Sequence, residues 1–238
     1  MRSLLNLKSI LLPALLALSA CGVPGTTTQS PGSAGNSMIA TGSASEVAAR
    51  RFVSVATRIE PAAEATCRRD APDLRCDFEI VVDDSPDASI NAYQLRDDRD
   101  RPVIVVTVPM IAYVQNDDEM AFVLAHEAAH HIARHLDRRR ESTRASALIF
   151  ANAAARTGAS GVALETAARV GAALGARAYA KDYELEADAV GARIARDAGY
   201  DAINGARYFE RSPDPGNRFL GTHPPNANRV EAVRAALR

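Results

Sequence analysis

Apolar side chains first recur at helical spacing after Ser45. Val47, Phe52, Val55, Ala56 and Ile59 predict one buried stripe on a helix capped by Ser45 and running from Glu46 toward Ile59. Pro61 is expected to interrupt or kink that helix. The period then changes to that of strands. Residues 76–82 alternate before turning apolar, residues 89–95 form a second strand candidate, and residues 102–108 are strongly β-branched. Turn-forming residues at 83–86 and 97–100 separate them. Gaps this short allow neighbours to pair antiparallel, so a small sheet is predicted.

From Asp117 onward the pattern is helical to the end. Met120, Val123, Leu124, Ile132 and Leu136 mark the buried positions of a helix with acids at its start and Arg134, Arg138, Arg139 and Arg140 at its end, as the helix dipole favours. Residues 142–180, rich in Ala and Gly, predict two helices joined near Thr157-Gly158; Arg156, Glu165 and Arg169 rule out a membrane span there. A further helix covers about 182–198, a Pro-rich loop follows at 212–225, and a last helix starts near Asn226. The fold class is therefore α+β, mainly helical with a small, mostly antiparallel sheet.

Composition changes the picture at the N-terminus. Arg2 and Lys8 precede a short apolar run ending in Ser19-Ala20, which is too short to span a bilayer and reads as a signal peptide over residues 1–20. Residues 23–44 are mostly Gly, Ser, Thr, Pro and Gln, so 21–45 is expected to be a flexible tether and 46–238 a single folded domain. The whole chain of 238 residues carries 28 basic and 29 acidic side chains. Removing 1–20 leaves 26 against 29, a balance that argues against nucleic acid as a partner. Cys67 and Cys76 form an even pair nine residues apart, expected to be a disulfide in an oxidising compartment.

Four of the five histidines fall between His126 and His135. His126 and His130 share one helix face, one turn apart, and can hold two corners of a zinc site, with Glu127 placed to act as base. A catalytic zinc usually takes a third protein ligand. Glu184 and Asp188 also share a face, which makes Glu184 the candidate ligand and Asp188 an acceptor for the other ring N–H of a ligand histidine; Glu186 falls on the opposite side. His131 and His135 are expected to be surface or helix-end residues.

Two resemblances add to this reading. Leu18-Ser19-Ala20-Cys21 resembles a bacterial lipobox, which implies a lipid on Cys21, and Gly22 resembles the signal for outer-membrane sorting. The second rests on Asn91-Ala92-Tyr93, on Val123 to His130 with the H-E-x-x-H string, on Arg134-His135, on Tyr179 to Asp188 with E-x-x-A-D, and on Thr222-His223-Pro224-Pro225 with Arg229. In that order they resemble the gluzincin family of the CAAX prenyl endopeptidases, which includes the HtpX- and BepA-type quality-control proteases. The resemblance implies a zincin-like fold and one catalytic Zn2+ on His126, His130 and Glu184. It also implies a His223 near the metal, either stabilising the oxyanion or occupying the open position. It further implies an endopeptidase on the periplasmic face of the membrane, with unfolded or misassembled envelope proteins as substrates. A zinc-containing chaperone without catalysis is the competing expectation, and a cell-wall hydrolase is compatible with the same ligands.

Overall fold

The computed structural model describes residues 43–218 and 220–238. The signal peptide expected at 1–20, the lipidated Cys21 and the tether up to residue 42 lie outside the described residues.

The first helix, α1 (Ala44–Asp70), begins earlier than its apolar stripe suggests. Its cap is Ser43 rather than Ser45: the Ser43 Oγ accepts from Glu46 N, and the Glu46 carboxylate accepts from Ser43 N at 2.7 Å. This reciprocal pair satisfies two otherwise orphaned backbone donors, which Ser45 could not do with Ala48 three residues on. The helix also continues through Pro61. Pro61 lies on the exposed side, so its missing bond faces water, while Val55, Ile59, Ala63 and Cys67 keep a continuous buried stripe.

Three strands follow, β1 (Glu79–Asp83), β2 (Ala92–Arg96) and β3 (Pro102–Thr107), arranged in the order β1-β3-β2. β2 pairs with β3 antiparallel, as expected, whereas β1 pairs with β3 in parallel. The sheet is thus mixed. Every residue of β3 is buried, and a strand apolar on both faces gains most from a central position with a neighbour on each side. β2 is left as an edge.

A short helix, α2 (Val108–Tyr113), replaces the expected end of the third strand; Thr107 caps it by accepting from Met110 N, and Pro109 suits its first turn. Next comes α3 (Asp117–Ile132), capped by Asn116 and buried along most of its length. The expected single helix through Arg140 is broken here. Arg134 adopts a left-handed φ of 58°, and α4 (His135–Arg156) starts in a new direction. Then come α5 (Val162–Gly175), α6 (Ala180–Asp197), the short α7 (Ala202–Gly205) and α8 (Tyr208–Arg211), and α9 (Asn226–Ala236). The core lies between α1, α3 and α6, with Met120, Phe122, Leu124 and Ile194 fully enclosed.

α3 and α6 cross where both carry small residues. A Cβ on Gly191 would stand 2.9 Å from the backbone N and Cα of His126, so only glycine permits this approach. The crossing point is therefore at His126 itself. The Sγ atoms of Cys67 and Cys76 are bonded, closing the end of α1 onto the segment that leads into β1. Among the described residues, no helix is long and apolar enough to cross a membrane.

Candidate metal centre

The α3–α6 crossing brings His126, His130 and Glu184 together, with one ligand atom from each lying within 4.8 Å of the others. The two Nε2 atoms are 3.0 Å apart; Glu184 Oε1 is 3.5 Å from His130 Nε2, and its Oε2 is 3.6 Å from His126 Nε2. Tetrahedral zinc with bonds of about 2.0–2.1 Å has ligand–ligand edges of roughly 3.3–3.4 Å, which these three distances bracket. Two imidazoles and a carboxylate converging at this spacing fit zinc both in donor chemistry and in size.

The groups behind the ligands orient them. Asp188, fully buried, places Oδ1 3.0 Å from His126 Nδ1, so the other ring nitrogen of His126 faces Glu184. Arg229 holds Asp188 in turn, donating from Nε and Nη2 to the two carboxylate oxygens at 2.7 Å each, and its Nη2 is 3.2 Å from Glu184 Oε2. Its guanidinium also lies over the Phe209 ring, 4.1 Å from the centroid. Charge and packing thus tie α9 to the centre.

The helix break at Arg134 has a chemical result. His135 is buried, not a surface residue: it stacks on Tyr183 with 4.7 Å between centroids and approaches His130, Nδ1 to Nδ1, at 2.8 Å. Its Nε2 lies 3.2 Å from Glu186 Oε2. The Glu186 carboxylate can only accept, so His135 carries its proton on Nε2 and offers a lone pair on Nδ1. His130 then donates from Nδ1 and presents a bare Nε2 to the ligand point. Glu186, expected on the far side of α6, is reached because α4 comes round to it. His131 is also buried. Its Nε2 donates to the Arg75 carbonyl at 2.7 Å and its ring meets Phe78 edge-on, joining α3 to the disulfide-closed segment.

The imidazoles and carboxylates of this centre perturb one another. Burial lowers the basicity of His126, but hydrogen bonds to Asp188 and Glu184 outweigh it and raise its pKa to about 10. His130 is pushed well below the usual histidine value by burial and by His126, so it is neutral. Burial works against ionising Glu184, yet the hydrogen bond to His126 and the nearby Arg229 hold its carboxyl well below the usual range. Desolvation in the cleft, reinforced by Glu184, pushes Glu127 up to about 7.

The centre sits at the base of a cleft of about 580 Å³, and Glu127 lines it beside the two histidines. Ile90 and Asn91, leading into β2, and Ala92 to Gln94 within it line the cleft, as do Leu136, Arg139 and Ala176. His223 stands at the mouth, half exposed, with Nε2 4.0 Å from Glu184 Oε2 and Thr222 Oγ1 3.0 Å from its Nδ1.

The family model described as Peptidase family M48 matches residues 49–237, nearly the whole described body. The chain belongs to peptidase family M48. A search of the curated proteins found no match. M48 members have a zincin-like metallopeptidase domain, and the mainly helical fold with a small sheet is of that class. Family membership does not favour a non-catalytic zinc protein. Three contributors in this M48 chain were given no role from the sequence, although Arg229 stood among the matching segments. Gly191 and Arg229 act through a helix crossing and a distant ion pair, and His135 through a helix break without a glycine. The one legible hint for His135 was its place beside Arg134 among the matching segments.

Proposed function

We propose that this M48 protein is a zinc-dependent endopeptidase of the CAAX-endopeptidase, HtpX and BepA type. In this proposal it is lipid-anchored through Cys21 on the periplasmic face of the outer membrane, where it hydrolyses unfolded or misassembled envelope proteins. The observation that carries the catalytic part is the convergence of His126 Nε2, His130 Nε2 and the Glu184 carboxylate, whose Oε2 faces the first histidine and Oε1 the second, with Glu127 lining the same cleft. His126, His130 and Glu184 would hold the ion, which supplies Lewis acidity toward a scissile carbonyl and toward water.

The chain's own residues do the rest. Glu127 takes the proton of the attacking water and returns it to the departing amine; a carboxyl whose desolvation sets it near neutrality can do both, and a nearby cation draws it toward its basic form. The open side of β2 lets an extended peptide add as a further strand, and backbone pairing of this kind recognises polypeptide with little demand on sequence. That suits unfolded substrates. His223, at the mouth, is placed to approach an oxyanion or the ligand point. The bonded Cys67–Cys76 pair supports an oxidising compartment.

Zinc content and cleavage of casein, wild type beside Glu127→Gln, test the reading. We expect full zinc occupancy and loss of cleavage in the variant; cleavage that persists with zinc bound overturns the mechanism. Zinc retention in Glu184→Ala and Glu186→Ala tests the third ligand, since loss only in the latter would reassign it. Normal activity in a folded, zinc-loaded His223→Ala would remove both roles from His223.

A further inference from the structure

The α4–α5 hairpin is built inside out for a protein in water. Its seam is made of small residues: a Cβ on Gly171 would lie 2.4 Å from the Ser146 carbonyl oxygen and 2.8 Å from Phe150 Cβ, and one on Gly175 would lie 2.3 Å from the Ser142 carbonyl oxygen. Phe150 reaches into this seam, whereas several other bulky apolar side chains point the other way. Leu148 and Ile149 are each 64% exposed, Val162 is 74% exposed and Val170 48%. His135, Gly171 and Gly175 are the only buried residues of the two helices. α5 packs essentially on α4 alone, and α4, at 22 residues, extends roughly 33 Å.

Small residues in the seam with Leu, Ile and Val outside is the pattern of helices packed in lipid, where the surroundings are as apolar as the side chains. The charge has a matching sign. Between His135 and Gly175 six arginines stand against Asp137, Glu141 and Glu165, giving +3; the whole chain is −1, so the remainder is −4. A like-charged second copy would be repelled by such a face, whereas an anionic bilayer would attract it. Arg156, Glu165 and Arg169 are spread along the hairpin and no described helix can cross a membrane, so the hairpin fits the plane of the interface.

We propose that the α4–α5 hairpin docks into an anionic lipid surface, with Leu148, Ile149 and Val162 in the acyl boundary. Leu136 and Arg139 at its base, with Ala176 just after α5, line the cleft, so docking holds the cleft near the bilayer. The proposal does not depend on peptidase activity.

The chain contains no tryptophan, so a single introduced one reports without background. The full chain is reconstituted with vesicles of phosphatidylethanolamine alone or mixed with phosphatidylglycerol, carrying Ile149→Trp, Val162→Trp or, as control, the exposed α1 position Val53→Trp. We expect both hairpin reporters to shift to the blue with phosphatidylglycerol and to be quenched by acyl-brominated lipid, while the control does neither. Replacing Arg144, Arg156 and Arg169 by Gln weakens docking about fivefold per residue, read as a rise in the phosphatidylglycerol fraction required. Solvent-like emission from both hairpin reporters in every vesicle overturns the proposal. So does a blue shift that needs no vesicle and grows with protein concentration, which marks a second copy, or one that appears only with unfolded casein.

Discussion

Replacing His135 by Phe tests how the centre is oriented. Phe keeps the volume and the stack on Tyr183, but it removes the Nδ1 lone pair that stands 2.8 Å from His130 Nδ1. The His130 N–H is then left without its acceptor in a largely dry position, at a cost of about 1–3 kcal/mol. The ring can avoid this by moving the proton to Nε2, but that nitrogen faces His126 and Glu184 and must be bare to bind a metal. Either outcome is paid at the metal site, and comparable losses behind a metal ligand weaken affinity by about 10- to 100-fold. Chelator competition for zinc, on a variant whose fold is verified by circular dichroism, measures this directly. Activity should return when zinc is saturating, because Glu127 is untouched. Zinc affinity within twofold of wild type in folded His135→Phe would refute the chain of orientation from Glu186 through His135 to His130.

Three further outcomes are expected. Gly191→Ala places a Cβ 2.9 Å from the His126 backbone, so α6 must move off α3; we expect a loss of about 1–3 kcal/mol by denaturant unfolding, with weaker zinc binding because Glu184 moves too. Glu119 is buried and receives two 2.6 Å hydrogen bonds from Arg211, which outweigh the opposing effect of burial and hold its pKa below the usual glutamate value. Its stabilisation is complete above the unfolded value near ~4.3 and is lost as pH falls toward the depressed one, so Glu119→Gln should flatten the acid limb of a stability-versus-pH curve. Opening the nine-residue separation between Cys67 and Cys76 with a double Ser variant should cost about 2–3 kcal/mol in thermal or denaturant unfolding.

The legible parts of this protein were those governed by neighbours along the chain. Helical spacing placed His126 with His130 and Glu184 with Asp188, because a residue and its fourth neighbour share a face whatever surrounds them. The same periodicity marked the α4–α5 hairpin and its turn near Thr157-Gly158. Errors arose wherever a distant partner decided the outcome. Val55 and Ile59 packed against the core kept α1 helical through Pro61, and the two buried faces of β3 drew β1 to its far side in parallel. His131 and His135 do stand at helix ends, as expected, but their burial was not legible because the acceptors that account for it, Arg75 and Glu186, lie 56 and 51 positions away.

By itself, then, the sequence determined the two halves of a candidate metal site, each as a pair on one helix face. Their meeting was decided by the tertiary structure. Gly191 lets α6 approach His126, Arg229 ties Asp188 and Glu184 to α9, and the left-handed Arg134 turns His135 back behind His130. Local spacing is a property of backbone geometry and can be counted. A close crossing, a buried ion pair and a helix break depend on which surfaces pack together, which no short stretch of residues contains.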